Sequence, residues 1–130
     1  MTLRVRTTLA PSPIAGIGLF AAEDIPAGTI TWAWDPALDR THTEAELQRL
    51  DPAVRAFLDR YAYWEPSLNA YALCVDNARF MNHSDDPNTG GTYDGFPPGG
   101  ADVALRDIKA GEEMTCDYRA FDRDAAAKLA

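Results

Sequence analysis

The apolar positions of this chain mark many short elements instead of a few long ones. Leu3-Arg4-Val5-Arg6 alternates apolar with charged residues, the period of a half-buried strand, and Pro11-Ser12-Pro13 breaks it. Gly16-Ile17-Gly18-Leu19-Phe20-Ala21 predicts a glycine-flexed turn running into a strand. Ile25-Pro26-Ala27-Gly28 predicts a turn, and Thr29-Ile30-Thr31-Trp32 a second strand. Between Asp35 and Tyr63 the period becomes helical. Thr43 with Glu46 three residues on is a capping box, followed by Leu47 and Leu50. Asp51-Pro52 opens another helix, with Asp as N-cap and Pro in the first helical position. Val54, Phe57, Leu58 and Tyr61 then fall at i, i+3, i+4 and i+7, which predicts one apolar face. Tyr71-Ala72-Leu73-Cys74-Val75 is a further strand candidate.

From Asp85 to Gly100 the chain is dense in Asp, Pro, Gly and Asn, so a loop is expected, with room for one hairpin at Asp94-Gly95. Ala101 to Ile108 and Glu113 to Tyr118 are predicted strands around a turn at Lys109-Ala110-Gly111. Asp122 to Ala130 is Ala-rich and reads as a frayed helix. The expected fold is therefore mainly β with short helices, in one domain over residues 1–121 with a tail over 122–130.

Composition narrows the function classes. The 130 residues are 46% hydrophobic and 25% charged, which fits one folded core. The net charge of −8 argues against a surface that tracks nucleic-acid phosphates; it is compatible with a Lys-rich partner, or serves only to keep the chain in solution. No apolar run approaches the roughly 20 residues of a membrane span, and the N-terminus shows no secretory h-region, so a cytoplasmic location is expected. The two cysteines, Cys74 and Cys116, are too few for a thiolate zinc site. His42 and His83 form no metal-binding pair, so no metal is expected.

Three segments offer chemistry. Arg79-Phe80-Met81-Asn82-His83-Ser84 ends an apolar stretch and is followed by Asp85-Asp86-Pro87-Asn88, whose Asx-Pro pattern forces a turn. Such a run presents amide and backbone groups to a polar ligand, or is a turn with a satisfied histidine. Asp117-Tyr118 pairs a phenol with a carboxylate, a combination that serves proton transfer or substrate orientation. Gly16-Ile17-Gly18 lacks the third glycine of a dinucleotide fingerprint but admits a ligand close to the backbone.

Together these segments resemble the SET-domain protein-lysine methyltransferases. Residues 79–84 with Pro87-Asn88 are similar to that family's Asn-His-Ser-Cys-x-Pro-Asn motif and its Arg-Phe lead-in. Gly111-Glu112-Glu113-Met114-Thr115-Cys116-Asp117-Tyr118 resembles its Gly-Glu-Glu-Leu-Thr-x-Asp-Tyr motif. Gly16 to Ala21, with Ile25 and Gly28, resembles its N-terminal motif.

The resemblance implies a SET-domain, β-clip-like fold in which the Asn82 and Tyr118 segments cross like a pseudoknot. It implies S-adenosylmethionine as cofactor, met by Ala15, Gly16, Ile17 and Gly18, by Asn82 and His83, and by Tyr71. It assigns Tyr118 as the catalytic tyrosine and places Cys116 and Tyr71 along a channel for a lysine side chain of a protein substrate. The alternative is a SET-fold binding module without transfer activity. Several departures shape expectation. The family's cysteine after Asn-His-Ser is Asp85, a charge that has to be paired or turned outward. The usual aromatic two residues before the tyrosine is Cys116, which leaves room for more than one methylation unless Tyr61, Tyr63 or Tyr93 fills the gap. With 12 residues after Tyr118 and no cysteine cluster, either a homodimer partner, with Trp32, Trp34 or Trp64 in contact, or the substrate itself is expected to cover the site.

Overall fold

The computed structural model describes residues 2–91, 100–120 and 125–129. Among the described residues eleven short strands and three short α-helices follow one another: β1 (Thr2–Leu3), β2 (Thr7–Pro11), β3 (Ile17–Ala21), β4 (Ile30–Ala33), β5 (Arg40–His42), α1 (Glu44–Gln48), α2 (Pro52–Tyr61), β6 (Tyr63–Glu65), β7 (Ala70–Leu73), β8 (Asn82–His83), β9 (Thr89–Gly91), β10 (Ala101–Ala104), β11 (Thr115–Cys116) and α3 (Ala125–Leu129). The fold is thus mainly β with short helices. The strands form four small sheets, ordered β1-β4-β10-β9, β2-β3, β5-β7-β6 and β8-β11. Among the described residues no helix is long and apolar enough to cross a membrane.

The core lies where β3 meets the segment ahead of β11. Leu19, Ile25, Ile108 and Met114 are at most 2% exposed. Backbone bonds hold this seam: Met114 N–H donates to the Leu19 carbonyl at 2.8 Å, and Ile25 and Ile108 exchange bonds of 2.7 and 2.8 Å. A second cluster packs Trp32 and Trp34 against Ala72 and Cys74. A third packs Leu47 and Leu58 under α1 and α2.

Several expectations shift. The alternating run at residues 3–6 is not one strand. β1 stops at Leu3, Arg4 N–H donates to the Thr31 carbonyl, and Arg6 N–H donates to Glu23, so the chain crosses from one sheet to the next hairpin. The strand expected over 101–108 ends at Ala104, and the one over 113–118 keeps only Thr115–Cys116. β5 and β6 are too short to show a period. Thr43 does cap α1, accepting from Glu46 N–H at 3.1 Å, whereas Asp51 sits at the N-cap of α2 without a side-chain bond. The four-residue face of α2 is only partly buried: Leu58 is 5% exposed, but Val54 and Phe57 are 47% and 43% exposed. Trp32 and Trp34 are buried, which removes them as contacts for a second copy. The hairpin expected at Asp94-Gly95, and Tyr93, lie outside the described residues.

Candidate functional site

β8 and β11 run parallel, with Asn82 beside Thr115 and His83 beside Cys116. Asn88 grips β11 from another side. Its Nδ2 donates to the Glu113 carbonyl at 2.8 Å and its Oδ1 accepts from Thr115 N–H at 2.8 Å, so one buried amide stands in for a strand partner. Thr89 Oγ1 adds a 2.7 Å bond to the Thr115 carbonyl. The expected crossing of the two segments is therefore built from backbone pairing and one side-chain amide.

The chain past β11 bends into a 3₁₀ turn at Tyr118–Ala120. Tyr118 N–H donates to His83 Nδ1 at 3.1 Å, and the Tyr118 hydroxyl donates to the Met81 carbonyl at 2.7 Å. Because Nδ1 accepts, the imidazole proton sits on Nε2, which meets Asp85 Oδ1 at 2.8 Å. Asp85 is turned outward, with 81% of its side chain exposed, and also pairs with Arg119 at 3.0 Å. Asp117 turns to Arg119, not to the phenol of Tyr118. The Arg119 guanidinium holds its carboxyl below the usual range.

Asn82 is 4% exposed. Its Nδ2 donates to the Ala15 carbonyl and to Glu113 Oε2, both at 3.0 Å. Both partners are acceptors, which fixes the amide orientation and leaves Oδ1 as the group still able to accept. Glu113 also takes the Ser12 hydroxyl at 2.8 and 2.9 Å. The carboxylate sits where a Gly18 side chain would be, since a Cβ there would stand 2.5 Å from Glu113 Oε2. Ser12 Oγ further accepts from Ile14 N–H, shaping the loop that leads to Gly16 at φ +48°.

Two cavities meet at Tyr118. One, of about 350 Å³, is lined by Gly16, Ile17, Asn82, Phe80 and Tyr118, with Arg60 and Arg79. The other, of about 330 Å³, is lined by Tyr118, Cys116, Tyr63, Trp32 and Asp102 among others, and shares Arg60, Tyr61 and Arg79 with the first. So the structure gathers Gly16, Ile17, Asn82 and Tyr118 around one cavity, with the Ala15 carbonyl behind Asn82. Gly18 lies beneath Glu113, and the His83 ring is engaged by Tyr118 and Asp85, so neither lines it. Cys116 stands on the second cavity, together with Tyr61 and Tyr63, two of the aromatics able to fill its gap.

Tyr71 lies outside the linings of these two cavities. β7 alternates. Ala72 faces Trp32 and Trp34, while Tyr71 points to the α1–α2 side beside Leu47 and Leu58 and stacks edge-on with Trp64 at 5.4 Å. Four further residues were not singled out for the site from sequence: Ser12 and Glu113 beneath Asn82, and Arg60 and Arg79 in the walls. No group of three or more metal-ligating side chains gathers among the described residues.

A mainly β fold with a cavity on either side of a half-buried tyrosine, and a parallel crossing behind it, defines the class. The SET-domain family profile matches residues 16–119, and the chain belongs to that family. None of the curated proteins matches it in sequence. Among solved structures it is similar to the Polycomb Repressive Complex 2 of Chaetomium thermophilum in an autoinhibited conformation bound to S-adenosylmethionine, with TM-score 0.67 and 22% identity. That match covers 96% of this chain and 16% of the other. The apo form of the same complex gives TM-score 0.69 at 22% identity, covering 96% and 17%. A Plasmodium falciparum protein described as a candidate histone methyltransferase gives TM-score 0.61 at 18% identity, covering 89% and 95%. The chain thus spans about a sixth of the Polycomb chains it matches.

Proposed function

We propose that this chain is an S-adenosylmethionine-dependent methyltransferase acting on a lysine side chain of a protein. The observation that carries the reading is Tyr118 in the shared wall of two cavities, one lined by Asn82 and the Gly16-Ile17 backbone and the other by aromatic and apolar groups. The first cavity suits the cofactor's parts. Asn82 Oδ1 is an acceptor for an ammonium, Arg60 and Arg79 are counter-charges for a carboxylate, and Tyr61 and Phe80 are surfaces for an aromatic base.

When bound, the cofactor supplies an electrophilic methyl on a sulfonium. Glu113 and Ala15 fix the Asn82 amide by taking both of its N–H bonds. Tyr118 is fixed at both ends, its N–H by His83 and its O–H by Met81. With its proton committed, the phenol oxygen presents lone pairs, which orient an amine or a polarised methyl by ordinary and C–H···O bonds. The second cavity excludes water from the amine, and a dry wall lowers an ammonium pKa from its usual value of about 10.4 toward the neutral, nucleophilic form. In-line transfer then needs orientation more than a strong base.

Calorimetry with S-adenosylmethionine tests the first step. One molecule per chain is expected, and Asn82→Ala should weaken it by roughly 1–3 kcal/mol. Absence of binding overturns the reading. Labelled cofactor incubated with a cell lysate tests the second. Label on lysine supports the enzyme, whereas binding without transfer to any protein favours a SET-fold binding module.

A further inference from the structure

The cavity lined by Cys116 and Tyr118 contains a carboxylate for which the described residues supply no partner. β10 slips by one residue against β4: Asp102 pairs with Trp32, but Val103 pairs with Ile30, leaving Thr31 as the extra residue. Such bulges re-aim neighbouring side chains. Here Asp102 and Trp32 both line the cavity, with Tyr63, Cys74 and Tyr118. Among the described residues the Asp102 carboxylate has no hydrogen-bond or ion-pair partner, and the Trp32 indole N–H is buried without one.

The charged groups around it are directed elsewhere. Arg79 Nη1 donates to the Val75 and Asp76 carbonyls, and its guanidinium lies 4.8 Å over Phe80. The Lys128 ammonium of α3 donates to the Ala62 carbonyl at 2.6 Å, and Arg60 lies 6.0 Å over Tyr61. Glu65 of β6 is the other acid on this wall, and burial holds its carboxyl up. Desolvation alone pushes the Asp102 carboxyl up to about 6. Burial, then charges that include Asp102, hold the Tyr63 phenol and the Cys74 thiol high, which sets these groups within electrostatic reach of one another.

We propose that Asp102 is the anionic seat of the substrate channel, its carboxylate pairing with the ammonium head of the lysine side chain that enters beside Tyr118. The inference rests on the methyltransferase reading above. A carboxylate in a desolvated wall costs stability unless a cation joins it. A lysine head supplies that cation while its methylene stem lies along Trp32 and Tyr63. Desolvation acts on both partners, raising the acid and lowering the amine. Pairing with the carboxylate favours the charged amine and so seats it; the neutral amine that methyl transfer consumes forms when that ammonium gives up one proton, to the carboxylate or to water.

The test uses n-butylammonium chloride, which has a lysine's four-carbon arm and head, read by the Trp32 indole resonance in NMR on the full chain. Saturable binding is expected for the wild type, weakened about tenfold or more in Asp102→Asn. Uncharged 1-butanol should not distinguish the two proteins. A second measurement needs no variant: wild-type affinity should fall as the pH drops from about 8 to about 5, as Asp102 becomes protonated. Equal n-butylammonium affinity in the two proteins, no binding to the wild type, or a pH-independent affinity overturns the proposal. Calorimetry with S-adenosylmethionine on the same samples is read separately. Its failure counts against the methyltransferase reading and leaves the amine result to decide Asp102.

Discussion

The Tyr118 hydroxyl donates to the Met81 carbonyl at 2.7 Å, one residue before the Asn82 that lines the neighbouring cavity. The bond ties the position of the phenol oxygen to the strand that carries Asn82. Tyr118→Phe deletes the oxygen and spares the rest of the ring, including its contact with His83 at 5.5 Å between centroids. Methyl transfer should fall by about two orders of magnitude, with S-adenosylmethionine affinity within about twofold. Single-turnover kinetics beside calorimetry separate the two effects. Equal rates would remove Tyr118 from the reacting centre.

Glu113 should behave as a cofactor-site residue although it lines neither cavity. Glu113→Ala leaves Ser12 and one Asn82 N–H without their partner. A stability loss of about 1.5–3 kcal/mol is expected for a charge-assisted network, and cofactor affinity should fall with it. Glu113→Gln keeps an acceptor for Asn82 and should recover part of both. Denaturant melts and calorimetry on the two variants decide this.

Gly18→Ala reaches the same network from the other side. The new Cβ would stand 2.9 Å from Ser12 Cβ as well as 2.5 Å from Glu113 Oε2. The Ser12 hydroxyl and the Asn82 amide both donate to that carboxylate, so it does not yield cheaply. A loss of about 1–3 kcal/mol is expected, against almost none for Gly91→Ala as judged by space, where the nearest atom is at 3.9 Å. Thermal melts of the pair provide the comparison.

Asp102 predicts a pH effect whose sign runs opposite to a salt-bridged acid. Its folded pKa of about 6 lies above the unfolded value of about 3.9. Between those values the folded state binds more protons, so stability falls as pH rises, and the penalty is complete above about pH 6. Asp102→Asn should therefore stabilise the chain by about 2–3 kcal/mol at neutral pH and by almost nothing below about pH 4. Urea melts at the two pH values test it. A destabilised variant at neutral pH would refute the desolvated charge.

Cys116→Tyr tests the width of the channel. Cys116 shares its cavity with Tyr61, Tyr63 and Tyr118, and a phenol in its place narrows the room for a methylated amine. On one peptide substrate, read by mass spectrometry, product should shift toward monomethyl-lysine. An unchanged distribution from a folded variant would make Cys116 a packing residue only.

The legible parts of the sequence were those with local causes. Thr43 caps α1 because its hydroxyl needs only the next turn, and Ile17 to Ala21 follows a turn that Gly16, at φ +48°, frees the chain to make. The Asn82, Tyr118 and Gly16 motifs marked the site through their resemblance to a family pattern. What bonds to those residues was not written locally. Glu113 finds Ser12 across 101 residues, and Asp102 reaches its cavity through a register slip that leaves no trace in composition. Tyr71 stands apart from both cavities for a related reason: in a strand one step of register decides which face a side chain takes. Val54 and Phe57 show helical periodicity without burial, because α2 covers the core with Leu58 alone among its residues.

The bond between Ser12 and Glu113 also sets when this site can exist during synthesis. A nascent chain that has displayed Asn82, His83 and the Gly16 loop, but still holds Glu113 in the ribosomal tunnel, cannot orient the Asn82 amide or close the crossing behind it. Contacts of such long sequence separation form late because the intervening chain must first lose its freedom. The two strands of the β2-β3 hairpin are close in sequence and are made together, long before β11. The cavities acquire their shared wall only when the last strand, β11, threads into place.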